Sequence, residues 1–415
     1  MSRNQELYNR ALKTIPWGTQ TNAKRHDPAM GDAMPHFIDH ADGCRMTDVD
    51  GRSFIDYRSS LGPVILGYKY PAVEAAVRAQ LDKGVLFSMA SPIEIEVAEA
   101  MCAMVPGLEQ VRFMKTGNEV NTAAIRLARA KTGRSKIAIC GYHGFDDWFG
   151  CGTGKAATSF PRDNNGVPTE LDDLVIRLPY ADIDYAREVF AKHGHELAAV
   201  MTVPYNWDAV VGHEYLSYLR EATTLHGTVL IFDQVLTGFR LGKGGAQEYF
   251  GIIPDLTTYA KALANGYPLA AFGGKRDFMQ PLDHVIITTT YAGETLSLAA
   301  AKATMQVMNS EPVHEHIWKQ GTKIMEGFDR MSAELGMDWK SFGLAPAAQF
   351  HFSDDEPENL RLRNAFFKRL FESGIFPARP FLVNYAHDDQ AIQETLDAFK
   401  DAMAHVAELV TSQHA

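Results

Sequence analysis

Cysteine is scarce in this chain. Cys44, Cys102, Cys140 and Cys151 are its only four, and no two form a Cys-x-x-Cys pair, so neither a disulfide framework nor a paired-cysteine zinc site is encoded. Long apolar runs are missing too. No stretch approaches the roughly 18 consecutive apolar residues of a membrane span, and residues 1–12 are polar, without the apolar core of a secretory signal. These absences predict a soluble, cytoplasmic chain with reduced thiols and no membrane partner. There is no basic run: 40 Lys and Arg stand against 51 Asp and Glu, a net charge of −11, which leaves nucleic-acid phosphates no electrostatic footprint to bind.

Metal-ligand spacing is lacking as well. Of 15 histidines, His193/His195 and His314/His316 stand at i, i+2, a spacing that does not place both rings on one helical face, and no His-Glu-x-x-His occurs. No metal is expected. The glycine-rich Gly150-Cys151-Gly152-Thr153-Gly154 does not end in Gly-Lys-Ser/Thr, because Ala156 follows Lys155; it reads as an active-site loop and not a nucleotide loop. Asp48-Val49-Asp50-Gly51 lacks the later ligands of a calcium loop and reads as a hairpin turn. No repeat, low-complexity tract or linker rich in Gly, Ser or Pro interrupts the chain.

What is present is ample core material, 46% apolar against 22% charged over 415 residues, more than one core usually organises. A short helix carrying Leu7, Ala11 and Leu12 is closed by Pro16 and Gly18, and the turn dipeptides Asp42-Gly43 and Asp50-Gly51 separate three short strand-like segments. From Pro71 the pattern changes. Helices at 71–83, 93–104, 119–132 and 214–224 alternate with apolar runs at 110–114, 136–140, 197–202 and 228–232, the signature of a parallel sheet covered on both faces. Beyond about residue 300, helices at 296–308, 314–335, 360–373 and 389–408 and strands at 347–352 and 382–385 read as an α+β part. The expected organisation is an N-terminal segment of a small domain (1–70), a large doubly wound α/β domain (71–300) and a C-terminal small α+β domain (301–415).

Four local features carry chemistry. Asp233 follows the apolar run 228–232 directly, at the strand end that faces the ligand crevice of a doubly wound sheet; alone, such an Asp more often caps the next turn. Lys261 lies among small apolar residues before the Asn265-Gly266-Tyr267-Pro268 turn. Desolvation there favours the neutral amine that attacks an aldehyde, although a single lysine at a core edge more often snorkels. Lys115-Thr116-Gly117-Asn118-Glu119-Val120 joins a strand to a helix, and the free N–H groups of such a junction seat a phosphate. Gly141-Tyr142-His143-Gly144 offers an aromatic ring after the next strand. An anion seat, an aromatic platform, a strand-end carboxylate and an isolated lysine are what pyridoxal phosphate requires.

On these motifs, from Ile15-Pro16 to Ala386-His387, the chain resembles the class III aminotransferases, particularly the branch of glutamate-1-semialdehyde aminomutase and its sugar- and aldehyde-modifying relatives. The resemblance implies pyridoxal-phosphate fold type I. It also implies that Lys261 is the Schiff-base lysine, that Asp233 pairs with the pyridine nitrogen, and that Val235 and Tyr142 cover the two ring faces. Thr116, Gly117 and Asn118 would form the phosphate loop, and Thr290 would reach the phosphate from the neighbouring subunit of a homodimer whose active site lies at the subunit interface. The implied activity moves an amino group between a small-molecule donor and a keto acid, aldehyde or keto-sugar by ping-pong exchange of pyridoxal and pyridoxamine phosphate (PLP and PMP); an intramolecular aminomutase is the alternative. The sequence departs from the pattern at Gln234 (usually Glu), at Asn118 (usually Thr or Ser) and at Gly293-Glu294-Thr295 (Gly-Asn-Pro in the aminomutase). Lys24, with Arg25 adjacent, aligns with the aminomutase's carboxylate-binding arginine, and Arg379 with its gating glutamate, so these two are expected to contact an anionic substrate group.

Overall fold

The computed structural model describes residues 1–154, 166–205 and 212–412. They form two compact units: Met1–Tyr70 with Glu315–Ala415, and Pro71–His314.

The first unit joins the two ends of the chain. Strands Ile38–Asp42, Arg45–Asp48 and Ser53–Asp56 make an antiparallel meander, to which Ile375–Phe376 adds in parallel. Its turns work because Gly43 and Gly51 take the left-handed backbone (φ 54° and 85°) that other residues avoid. A second sheet of Lys340–Phe342, Ala347–His351 and Phe381–Leu382 packs its Phe350 and Phe381 rings with Phe328, Phe366 and Phe399 of the helices Val313–Glu334, Glu356–Glu372 and Asp389–Thr411. These rings meet largely edge to face, the geometry aromatic quadrupoles prefer.

The second unit is built on one eight-stranded sheet. Its strands in chain order are β1 (Gln110–Met114), β2 (Lys136–Cys140), β3 (Thr153–Gly154), β4 (Val175–Arg177), β5 (Leu197–Thr202), β6 (Val229–Gln234), β7 (Leu256–Tyr259) and β8 (Ala270–Gly274). They lie in the order β1-β8-β7-β6-β5-β2-β4-β3. Neighbours run parallel except around β8, which is antiparallel to both β1 and β7. Two reversals cancel, so β1 points the same way as β2, β6 and β7. Every residue of β5, β6 and β8 is buried, as expected of strands covered on both faces. Helix Thr295–Ser310 packs on helices Pro71–Leu81 and Pro92–Met104, which keeps residues as far as His314 with this unit.

Strands β7 and β8 are not apparent from apolar runs. β7 reads Leu-Thr-Thr-Tyr, half polar, and β8 is mostly Ala and Gly. The small residues answer crowding: a Cβ on Gly273 would sit 2.2 Å from the Gln110 carbonyl oxygen, and one on Gly274 would sit 2.1 Å from that of Asp255. The glycine-rich segment read as an active-site loop supplies edge strand β3 instead, paired with β4; Lys155 and Ala156 beyond it lie outside the described residues.

Candidate active site

Because β1, β2, β6 and β7 share one direction, the segments after their carboxyl ends gather at one edge of the sheet. Those segments carry Thr116–Asn118, Tyr142–His143, Val235 and Lys261, and Asp233 is the last residue but one of β6 itself.

Asp233 is 4% exposed. Its Oδ2 accepts hydrogen bonds from Asn121 Nδ2 and His143 Nδ1, both at 2.8 Å, and its Oδ1 accepts from the Val235 N–H at 2.9 Å. Three donors on two oxygens suit a carboxylate, and facing that acceptor His143 takes the tautomer with its proton on Nδ1. Asn121 is the connecting piece. One turn into helix Gly117–Thr132, its other amide hydrogen goes to the His143 carbonyl at 2.8 Å, and its oxygen accepts from Thr258 Oγ1 at 2.6 Å. Thr258 stands opposite Asp233 in the β6–β7 register, three residues before Lys261.

Lys261 opens a single turn, Lys261–Ala264, with φ +46°. A side-chain-bearing residue pays about 1–2 kcal/mol for that left-handed conformation, a strain typical of functional positions. Burial pushes its amine down to about 8; the charge of Asp233 pulls it back up, and that of Arg240 lowers it further. Tyr142 is 59% exposed, and burial of the rest of it, followed by the Asp233 charge, raises its hydroxyl. Gly117 lies close to Val235: a Cβ on Gly117 would come within 2.8 Å of a Val235 methyl. Thr116 closes a capping box with Glu119, whose carboxylate accepts the N–H groups of Lys115 and Thr116. Among the described residues, this leaves the Gly117 and Asn118 N–H groups for an anion at the positive end of the helix.

The structure accounts for two of the departures from the pattern. Asn118 spends its side chain on the neighbouring loop, accepting from the N–H groups of Phe145 (2.8 Å) and Asp146 (3.1 Å) and donating to the Asp146 carboxylate. Gln234 is fully buried in a neutral network: its amide nitrogen lies 2.9–3.0 Å from Gln247 Oε1, Thr257 Oγ1 and Tyr259 Oη, which share its two hydrogens, and its oxygen accepts from the Ala246 N–H at 2.6 Å.

The family model for "Aminotransferase class-III" matches residues 28–403. The chain belongs to the class III aminotransferases. A relative 33% identical, aligned over 98% of this chain and 100% of its own length, is the glutamate-1-semialdehyde 2,1-aminomutase of Akkermansia muciniphila. The FumI protein of Sphingopyxis sp. MTA144, solved in its PLP internal aldimine form, superposes with a TM-score of 0.90 at 28% identity, over 99% of this chain and 98% of that one. An omega-transaminase from Sphaerobacter thermophilus gives a TM-score of 0.89 at 27% identity, covering 98% of both chains. This class III aminotransferase therefore has the pyridoxal-phosphate fold type I and uses that cofactor. The donor set fits it: an anion-seeking helix end, a carboxylate gathered by three N–H donors, a half-exposed ring and a desolvated amine.

Of the residues singled out in the sequence, Thr116, Gly117, Asn118, Tyr142, Asp233, Val235 and Lys261 come to this one edge. Thr290 is exposed, on the segment leading into helix Thr295–Ser310, with no side-chain hydrogen bond among the described residues. Lys24 and Arg379 belong to the first unit. Both are exposed; Arg379 Nε donates to Gln349 Oε1 at 3.0 Å. The sequence pattern does not single out Asn121 or His143. Asn121 lies four residues beyond Gly117, on the same helical face, and that periodicity is the available signal; His143 adjoins Tyr142.

In the cofactor-free chain, the Lys261 amine should titrate near pH 8, well below the ordinary lysine value of about 10.4. Asp233 raises it, so Asp233→Asn should move the midpoint lower still. The pH dependence of Lys261 modification by an amine-specific reagent, read by mass spectrometry, checks both; a midpoint above 10 in the native chain would contradict the site described.

Proposed function

We propose that the Pro71–His314 unit holds pyridoxal phosphate at this edge, with Lys261 as its covalent anchor and Asp233 at its ring nitrogen. The observation carrying this reading is the web of hydrogen bonds that joins Asp233, through Asn121, to the phosphate-loop helix on one side and to the strand leading to Lys261 on the other. When bound, the cofactor supplies an aldehyde carbon that bonds amines and a ring that accepts electrons released at the substrate carbon.

The protein groups do the rest. Asp233 Oδ keeps a proton on the ring nitrogen. The N–H groups of Gly117 and Asn118 would hold the phosphate, while Val235 and Tyr142 would cover the ring. Lys261 Nζ, released as a free amine when the incoming donor amine replaces it on the cofactor, would take the proton from the substrate carbon that carries nitrogen and return it. The proposed overall reaction is ping-pong transfer from an amino donor to a keto acid, aldehyde or keto-sugar.

Thr290 would complete the phosphate site from a second copy of the chain. The strongly exposed apolar side chains Met89, Phe145 and Ile286, at 83%, 83% and 80%, are compatible with a homodimer and would serve one if association gathers them into a single patch. A monomer in sedimentation at working concentration would remove this part of the reading. The resemblance to a glutamate-1-semialdehyde 2,1-aminomutase keeps an intramolecular transfer as the second reading; product formed from a single amino-aldehyde, with no separate acceptor, would favour it. A cytoplasmic setting, free of membrane and nucleic acid, accords with the composition.

Purified holoenzyme should be yellow, and Lys261→Ala should abolish that absorbance; a variant with an unchanged visible spectrum would refute the anchor. Arg379 and Lys24 are proposed to face an anionic substrate group. Arg379→Ala should then raise the KM of anionic donors or acceptors about tenfold or more, the usual scale for one charge-assisted hydrogen bond, and unchanged KM values across a panel would end that role.

A further inference from the structure

Glu294 stands where the sequence departs from the aminomutase pattern, and the proposed chemistry above does not use it. It is the N-cap of helix Thr295–Ser310: one carboxylate oxygen accepts the Leu296 N–H at 2.7 Å, the other the Ser297 N–H at 3.2 Å and the Ser297 hydroxyl at 2.6 Å. That second oxygen also accepts from Lys115 Nζ at 2.8 Å. Lys115 is the residue before Thr116, and its own N–H is held by Glu119 in the capping box of the other helix. The pair is nearly desolvated, with side chains 15% and 13% exposed. Burial alone would raise the Glu294 carboxyl; the hydrogen bonds from Lys115 and Ser297 and the Lys115 charge outweigh it and hold the group below the ordinary glutamate range.

The charges are arranged with a purpose that a helix cap alone does not require. An Asn, Ser or Asp would cap helix Thr295–Ser310 as well. Glu294 instead sets a long-armed anion next to the residue that leads into an anion seat, where it would repel a phosphate. Lys115 cancels that charge while tying the head of helix Thr295–Ser310, and with it the segment that carries Thr290, to the start of the phosphate loop. Thr295 anchors the same helix end from the other side, donating to the Gly84 carbonyl at 2.9 Å and accepting from Gln80 Nε2 at 3.2 Å. Removing only the cation leaves a buried, uncompensated carboxylate, the costly way to break such a pair; removing both charges is far better tolerated.

We infer that Lys115 and Glu294 act as positioning residues for phosphate recognition, an ion pair that joins the two helix ends around the phosphate seat and keeps the charge there favourable to an anion. The inference rests on the proposed seat at Gly117 and Asn118. It is specific to phosphate: the aldehyde, ring and amine chemistry does not depend on it.

The test is the ratio of affinities for pyridoxal phosphate and for pyridoxal, which lacks the phosphate. It is read by absorbance titration of the full-length chain stripped of cofactor. Native protein should prefer the phosphorylated form. Lys115→Met should reduce that preference about tenfold or more, the order of one poorly screened charge, with pyridoxal affinity nearly unchanged; Lys115→Arg should retain it. The double variant Lys115→Met/Glu294→Gln should recover to within about threefold of native, because the offending carboxylate is gone. Glu294→Gln alone should keep or increase the preference, a check that stands even where Lys115→Met does not fold. A preference unaffected by Lys115→Met, or lowered by Glu294→Gln, overturns the inference, and a double variant as poor as Lys115→Met would mean that Lys115 binds the phosphate itself. If native protein shows no preference for the phosphate, the proposed seat is what fails, and the pair's role falls with it.

Discussion

Asn121 ties three partners together: it donates to the Asp233 carboxylate and to the His143 carbonyl, and it accepts from Thr258. At 1% exposure it has no water to fall back on, so each bond lost would leave a buried polar group unpaired. A helix, two strands and a loop are thereby held in one register. The separation between Asp233 and Lys261 follows from that register, because Thr258 stands opposite the first in the sheet and three residues before the second. Gly117 tightens the arrangement from the helix side, admitting the Val235 methyls where any side chain would collide.

On this frame the electrostatics are a balance of opposites. Lys261 is desolvated and lies within the influence of Asp233, which stabilises its charge, and of Arg240, a wholly buried cation itself pushed down to about 10 by burial. The outcome is an amine lowered to about 8, whose neutral fraction near pH 7 is far larger than an ordinary lysine's, as reaction with carbonyl compounds demands. Gln234 belongs to the same balance. A glutamate in its place would bring a second carboxylate beside Asp233 inside a network already filled by Gln247, Thr257, Tyr259 and Ala246, whereas the neutral amide satisfies all four partners without adding charge.

The legibility of the site in the sequence follows the physics of each piece. Asp233 was readable because four apolar residues of a fully buried strand precede it, and Lys261 because a lysine set among alanines and leucine before an Asn-Gly turn has no solvated face. The division into helices and strands followed from apolar periodicity as far as it was strong. It faded at β7, where threonine and tyrosine hydroxyls serve the Gln234 amide, and at β8, where glycines yield to neighbouring backbone. Asn121 and His143 stayed hidden because polar residues on a helix or in a loop have no pattern that separates a buried hub from a solvated face. Their importance comes from what the fold brings to them. The Lys115–Glu294 pair spans 179 residues and is invisible to local reading for the same reason.

On the proposed reading, the gathered carboxylate of Asp233 governs the protonation of the cofactor's ring nitrogen. Nitrogen-15 NMR of holoenzyme reconstituted with ring-labelled pyridoxal phosphate reports that protonation directly. The ring nitrogen should be protonated in the native protein at neutral pH and deprotonated in Asp233→Asn. A native spectrum showing the unprotonated pyridine would contradict it.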